Sequence, residues 1–199
     1  LELVNQATGA TSGSAIAGST SELQVRATDA NRNIDKDYAG VHAVAFYGLS
    51  SSGSYIPKVE TTNFGTELGI YFPVSPGGVS TTNAVTLTPY KMETANIYGS
   101  ETGMSYFTYN VNVLAASASS IALTSGNNQV SVINKAITPF VVTTQDTYGN
   151  AAAGTDVTFS ISSYPTGGGG CSLSTTTTTT NSSGEASTIL TLGAAAGTY

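Results

Sequence analysis

The sequence predicts an all-β protein of short antiparallel strands, a sandwich or barrel in two tandem halves. Three observations carry this expectation. Alternating apolar runs are separated by Gly, Pro, Asn and Ser clusters, the apolar residues are mainly Val, Ile, Ala, Tyr and Phe, and the pattern repeats once along the chain. With 40% hydrophobic residues and only 9% charged, the chain can bury a core and lacks the charge excess of a disordered one. Its hydroxyl content, 25 Ser and 31 Thr among 199 residues, suits a polar coat on strands and leans towards an extracellular surface.

The clearest run is Glu22–Ala27, which places Leu23, Val25 and Ala27 on one face. Further runs are Val41–Tyr47, Gly69–Phe72, Ala84–Leu87, Tyr106–Val113, Ile137–Thr143, Thr155–Ile161 and Ser187–Leu192. Turn clusters at Ser50–Ser54, Ser75–Gly78 and Thr166–Gly170 bound them. Lys91–Ile97 is the one helical candidate, a turn or two at most, and reads equally well as a strand.

The repeat sets the organisation. Leu23–Asn33 is a strand running into an Asx-rich turn, followed by Gly40 and the run Val41–Tyr47. Phe140–Asn150 has the same pattern, followed by Gly154 and Thr155–Ile161. Asp29 then matches Asp146, Asn33 matches Asn150 and Phe46 matches Phe159. The small-residue stretch Leu114–Ser120 lies between the halves, which puts the boundary near Ser117.

Asp146-Thr147-Tyr148-Gly149-Asn150 with Ala153–Phe159, and Thr180–Ala186 with Ser187–Leu192 and Ala196–Tyr199, resemble strands and hairpins of bacterial immunoglobulin-like repeats. These are the invasin- and intimin-type modules of prokaryotic surface proteins. Ala27–Asn33, Tyr38–Gly40 and Leu87–Tyr90 resemble longer repeats of the same kind. The resemblance implies two tandem Ig-like antiparallel β-sandwich domains, at 15–116 and 117–199, after an N-terminal extension, 1–14. It implies a spacer, stalk or assembly unit at the cell surface. Its motifs are turn and strand patterns, so they speak for fold and setting more than for a ligand.

One departure from the family matters. Such repeats continue past Gly-Thr-Tyr into a last strand, whereas this sequence ends at Tyr199, so the second half is expected to be a strand short. Placed after Tyr199, Leu1-Glu2-Leu3-Val4 reads as that strand's continuation. Two explanations follow: one repeat cut mid-strand from a tandem array, or a filament subunit whose N-terminal strand fills a neighbour's second domain. The second makes Leu1, Leu3, Val4 and Tyr199 subunit-interface residues in a pilus-like homopolymer. The N-terminus has neither Met nor signal-peptide regions, and the expectation is a mature or excised chain.

Chemical sites are scarce. Asp29, Asn31, Asn33, Asp35 and Asp37 alternate as oxygen ligands do in a calcium loop, but Ile34 and Gly40 stand where that loop needs Gly and a bidentate Glu. The plainer explanation is an Asx turn. Calcium is the only cofactor the sequence suggests. His42, the single histidine, has no nucleophile motif with it and reads as an exposed strand residue. Glu60, Glu67, Glu93 and Glu101 could pair in space as glycosidase carboxylates, which sequence spacing does not show. Gly167–Gly170 lacks the Lys-Ser/Thr of a phosphate loop, Cys171 has no disulfide partner, and Asn181-Ser182-Ser183 is a formal glycosylation sequon. Thr175–Thr180 is a β-prone run, read as an exposed strand.

Six basic residues cannot provide a nucleic-acid footprint, and no stretch reaches the ~18 apolar residues of a membrane span. Aromatic residues gather in the first half, among them Phe46, Tyr47, Tyr55, Phe64, Tyr71, Phe72, Tyr90, Tyr98, Tyr106, Phe107 and Tyr109. Beside a core role they suggest a carbohydrate face, with the connection Gly48–Asn63 as the place for an adhesive surface. The expected function is therefore structural or adhesive, extracellular and non-enzymatic, with a surface or glycan target. The alternative is a carbohydrate-binding module of a secreted enzyme.

Overall fold

The computed structural model describes residues 1–74, 78–79, 85–104 and 107–199. Ser75–Gly77 of an expected turn, Ala84 and Tyr106 lie outside the described residues. The described chain is all-β with an immunoglobulin-like arrangement, and it divides into two compact units, Leu1–Ala115 and Ala116–Tyr199.

Unit 1 is a sandwich of two five-stranded sheets. The first contains β1 (Glu2–Asn5), β3 (Ser21–Arg26), β8 (Val85–Thr88), β5 (Lys58–Val59) and β6 (Thr62–Asn63), in that order. The second runs β2 (Ser12–Ile16), β10 (Phe107–Leu114), β9 (Glu93–Ser100), β4 (Gly40–Tyr47) and β7 (Glu67–Phe72). Every pair is antiparallel except β2 with β10. Period-two alternation builds the core: Leu23, Val25 and Leu87 from one sheet, and Val44, Phe46, Phe72, Ile97, Val111 and Val113 from the other, are buried.

The segment 1–14, expected as an extension, belongs to this sandwich. β1 pairs with β3 from Glu2↔Arg26 to Asn5↔Leu23, and Leu3 and Val4 are both 0% exposed. Asn5 then turns the chain towards the second sheet, its Oδ1 accepting the N–H groups of Ala7 at 3.1 Å and Thr8 at 3.0 Å. The carboxylate of Glu2 pairs with Arg32, fastening β1 to the following loop. The reason this was not legible is local: Leu-Glu-Leu-Val looks like any edge strand, and its partner lies some twenty residues on.

Unit 2 carries fewer pairings. β11 (Ser120–Ser125), β12 (Phe140–Gln145) and β16 (Glu185–Thr188) form one sheet, and β14 (Ser172–Leu173) pairs with β17 (Leu190–Thr191). β13 (Asp156–Thr158) pairs with β15 (Thr177–Thr179). Residues 135–137 return beside β17 through Ile137 N–H to Leu190 O and Leu192 N–H to Lys135 O, both 2.9 Å. The expected run Thr155–Ile161 is thus a strand for only three residues. Lys91–Ile97 is not helical: Glu93–Ser100 is a strand, held between two neighbours whose tertiary pairing overrides the local preference.

Candidate functional site

The internal repeat makes the two units directly comparable. In unit 1, β3 lies between β1 and β8; in unit 2, the matching β12 lies between β11 and β16. In unit 1, β4 lies between β7 and β9, and β9 is in turn covered by β10. In unit 2, β13 pairs with β15, and among the described residues nothing occupies the side that β9 and β10 fill in unit 1. The inner face of the β11–β12–β16 sheet is consequently covered only in part: Thr144, Ala186 and Thr188 on it are buried, whereas its β11 side is open.

Register identifies what lies on that face. Leu123 opposes Val142, which opposes Ala186, and Phe140 opposes Thr188. Ile121 is 57% and Leu123 47% exposed, and Phe140, Val142 and Phe159 are only half-buried. A cleft of about 250 Å³ runs over Val142, Phe159, Ile161 and Leu173. A second, of about 640 Å³, lies over Ile137, Leu192 and Gln129. Phe140, Leu190 and Tyr199 line both, so the smaller, apolar cleft and the larger one, rimmed by Asn127, Asn128 and Gln129, adjoin. Tyr199 is fixed there by a hydrogen bond from its hydroxyl to Ala195 O at 2.8 Å.

Around this face the polar groups are closed on themselves. Thr144 donates to Ala152 O at 2.8 Å, Thr180 to the same carbonyl at 2.7 Å, and Thr188 to Thr175 O at 2.7 Å. Asp146 closes a five-residue loop: its Oδ1 accepts the N–H of Tyr148 at 2.8 Å and of Asn150 at 2.9 Å. Its Oδ2 accepts Asn150 Nδ2 at 2.8 Å and the Ala116 N–H at 2.9 Å. Burial alone would raise the Asp146 carboxyl, but these donors outweigh it and hold it below the usual carboxylate range.

Asp29 closes the matching loop of unit 1 by the same bonds. Its Oδ1 accepts Asn31 N–H at 2.8 Å and Asn33 N–H at 2.9 Å, and its Oδ2 accepts Asn33 Nδ2 at 2.9 Å. The Asn33 side chain first, and then the backbone donors, lower its carboxyl. Asp35 Oδ1 likewise accepts the Asp37 N–H at 3.0 Å. These Asp29 and Asp35 oxygens accept the loop's own N–H groups, as in an Asx turn. No group of three or more His, Cys, Asp or Glu that could hold a metal occurs among the described residues. The sequon residue Asn181 closes a third loop of this kind, its Oδ1 accepting Ser183 N–H at 2.9 Å and Glu185 N–H at 3.0 Å.

His42 is not an exposed strand residue. It stacks on Tyr38 with ring centroids 3.9 Å apart, and Phe72 meets both rings edge-on. Its Nδ1 lies 2.7 Å from Glu101 Oε1 and its Nε2 3.1 Å from Ala39 O. Tyr38 donates its hydroxyl to the other Glu101 oxygen. Burial, then that bond and the Glu101 charge, push the phenol well above its usual value. This cluster ties β4 to the turn after β9. Sequence reasoning missed it because residues 42 and 101 carry no local signal of proximity. Of the other glutamates, Glu60 accepts Thr86 N–H and Glu93 accepts Ser50 N–H, each at 2.7 Å.

Of the expected interface residues, Leu3 and Val4 are interior to unit 1 and Tyr199 lines the open face of unit 2. Cys171 is a free, half-exposed thiol beside β14. Among the aromatics, Phe46, Phe72 and Tyr109 are core residues, whereas Tyr47, Tyr55, Tyr71 and Tyr98 are exposed. No described helix is long and apolar enough to cross a membrane.

No protein-family model and no curated protein matches the sequence. Among solved structures, the chain is similar to FdeC, a broadly conserved Escherichia coli adhesin, with 18% identity over 92% of this chain and 54% of that one, and a TM-score of 0.43. It is similar to the Yersinia pseudotuberculosis adhesin InvE, with 18% identity over 91% of this chain and 49% of that one, and a TM-score of 0.35. It is also similar to the D00–D0 domain of intimin, with 16% identity over 96% and 85% of the two chains and a TM-score of 0.36. The chain spans about half the length of the two adhesins.

Proposed function

We propose that this chain is a structural and adhesive module displayed outside the cell, a repeat or subunit of a surface filament or stalk, and not an enzyme. Its second unit is completed by strand addition from another polypeptide segment. The observation that carries this is the partly open inner face of the β11–β12–β16 sheet, beside the free edge of β13, set against unit 1, where β9 and β10 close the equivalent face. An added strand would satisfy the β13 edge with backbone hydrogen bonds. Alternate apolar side chains would cover Leu123, Phe140 and Phe159.

The donor suggested by sequence is Leu1–Thr8 of a neighbouring copy. In its own unit that segment is β1, with Leu3 and Val4 fully buried, so donation requires exchange out of the home sheet. An adjoining repeat in a tandem array would supply a strand without that penalty.

Electron microscopy and light scattering of the full chain test the proposal. Concentration-dependent assemblies that disappear in Leu123→Lys are expected. A monodisperse monomer up to ~100 μM, a range that covers ordinary specific affinities, overturns strand addition between copies. Removing Leu1–Thr8 identifies the donor, because assemblies that persist exclude the N-terminal strand.

A further inference from the structure

The connection between β4 and β7 is a long excursion, yet it is tied down along its length. Ser52 and Tyr55 exchange backbone bonds of 3.0 and 2.9 Å, Phe64 N–H reaches Pro57 O at 2.9 Å, and Gly65 N–H reaches Phe46 O at 2.8 Å. Glu93 receives Ser50 N–H, and Phe64 packs against Phe46 with centroids 6.5 Å apart. Preformed loops on a rigid sandwich are where recognition surfaces are usually found.

This excursion builds a cleft of about 240 Å³ lined by Ser54, Tyr55, Ile56, Lys58, Asn63 and Tyr90. Lys58 and Asn63 face each other across the β5–β6 pair, on the side opposite the buried Val59. The rings of Tyr55 and Tyr90 are 5.5 Å apart and inclined by 37°. They therefore form an angled wall, not the flat platform that would lie along a polysaccharide face. At roughly 30 Å³ per water the cleft has room for about eight waters, the scale of one pyranose residue with some hydration.

Chemistry narrows the ligand. Tyrosine faces suit the C–H side of a sugar ring, and the Ser54 hydroxyl and Asn63 amide offer both donors and acceptors to its hydroxyls. Lys58 is one of only six cations in a chain of net charge −6, and it has no carboxylate partner among the described residues. A lone ammonium in the wall of a tyrosine cleft favours a carboxylate over a neutral group by direct charge pairing, against the weaker, salt-screened repulsion of the chain's net negative charge.

We propose that this cleft binds the acidic sugar residue of a glycan, a uronic or sialic acid, with its ring against Tyr55 and Tyr90 and its carboxylate at Lys58. The site lies wholly in unit 1, so it is independent of strand addition in unit 2.

The test is an NMR titration of the full chain with the methyl glycosides of N-acetylneuraminic acid and glucuronic acid, and with methyl glucoside as the neutral probe. Millimolar binding of at least one acidic glycoside is expected, as befits an exposed, single-residue site, with shifts confined to Ser54–Asn63 and Tyr90. Lys58→Gln should weaken that acidic glycoside about tenfold and Tyr55→Ala should abolish binding, with spectra elsewhere unchanged. No shift with either acidic probe up to ~50 mM overturns the proposal, as does equal binding of the neutral glucoside or an unaffected Lys58→Gln variant.

Discussion

The two units of this chain share a strand–loop–strand plan but differ in what their inner faces touch. Leu23 and Val25 on β3 of unit 1, and Ala27 just after it, are all within 1% of complete burial. Their counterparts on β12 are Phe140, Val142 and Thr144. The first two are half-buried and the third is buried by hydrogen bonds, to Ala152 O and Gly184 O, as much as by packing. Unit 1 is thus stabilised by two closed apolar faces, whereas unit 2 rests on buried threonines, Asx loops and one partly covered sheet. The lesson is that the same local sequence pattern specifies a sheet without specifying what covers it.

The largest expected effect tests that difference in the matched phenylalanines. Phe46 is 2% exposed in the sandwich interior, and Phe46→Ala should destabilise unit 1 by about 3–5 kcal/mol. Phe159 faces the open cleft and already contacts solvent, so Phe159→Ala should destabilise unit 2 by less than about half as much. Amide exchange at β3 and β12, read residue by residue, separates the two units without assuming one transition. Equal losses would mean that the face of unit 2 is closed in solution.

Next in size is the pair of loop aspartates. Asp146 is 3% exposed and accepts four N–H bonds, so Asp146→Ala leaves buried donors unpaired and should destabilise unit 2 by about 2–4 kcal/mol. Asp29 makes three matching bonds in full contact with water, and its replacement should do visibly less. The acid limb follows from the same geometry. The Asp146 carboxyl is lowered on folding, so the folded unit binds that proton less tightly than the unfolded chain. Its stabilisation is complete above the unfolded value of about 3.9 and is lost as pH falls through the lower folded value. Unit 2 should therefore loosen below about pH 4, and Asp146→Asn should flatten that dependence in β12 amide exchange. An acid limb unchanged in the variant would place the sensitive group elsewhere.

These residues also show how far sequence carries. The matches Asp29 to Asp146 and Asn33 to Asn150 were visible because an Asx loop is local: its donors sit two and four residues from its acceptor. The alternation of Leu23 and Val25 likewise fixed which side of β3 faces inward. What could not be read is pairing at long range. Leu3 and Val4 look like a spare strand until β3 is seen beside them, and His42 looks exposed until Glu101 and Phe72 close around it. The open face had one sequence signal, Ile121 and Leu123 alternating in a serine-rich run. Nothing in the run says whether a partner sheet covers it.

The smallest effect concerns the one position where the two Asx loops differ in backbone chemistry. Arg32 has φ of 64° and its counterpart Gly149 has φ of 84°, both left-handed. That conformation is free for glycine and costs about 1 kcal/mol or more for a residue with Cβ. Arg32 offsets part of this through its pair with Glu2, which fastens β1, but the arginine is 63% exposed and such pairs are worth about 0–1 kcal/mol. Arg32→Gly should therefore change unit 1 by no more than about 0.5 kcal/mol, strain relief balancing the lost pair and the greater freedom of the unfolded chain. Gly149→Arg places a Cβ residue in the left-handed region, and it should destabilise unit 2 by about 1 kcal/mol. Denaturant midpoints of the two single variants decide the point. If Gly149→Arg proves as neutral as Arg32→Gly, the loops are not equivalent in their backbone demands. The five-residue turn would then be a looser constraint on β12 than on β3.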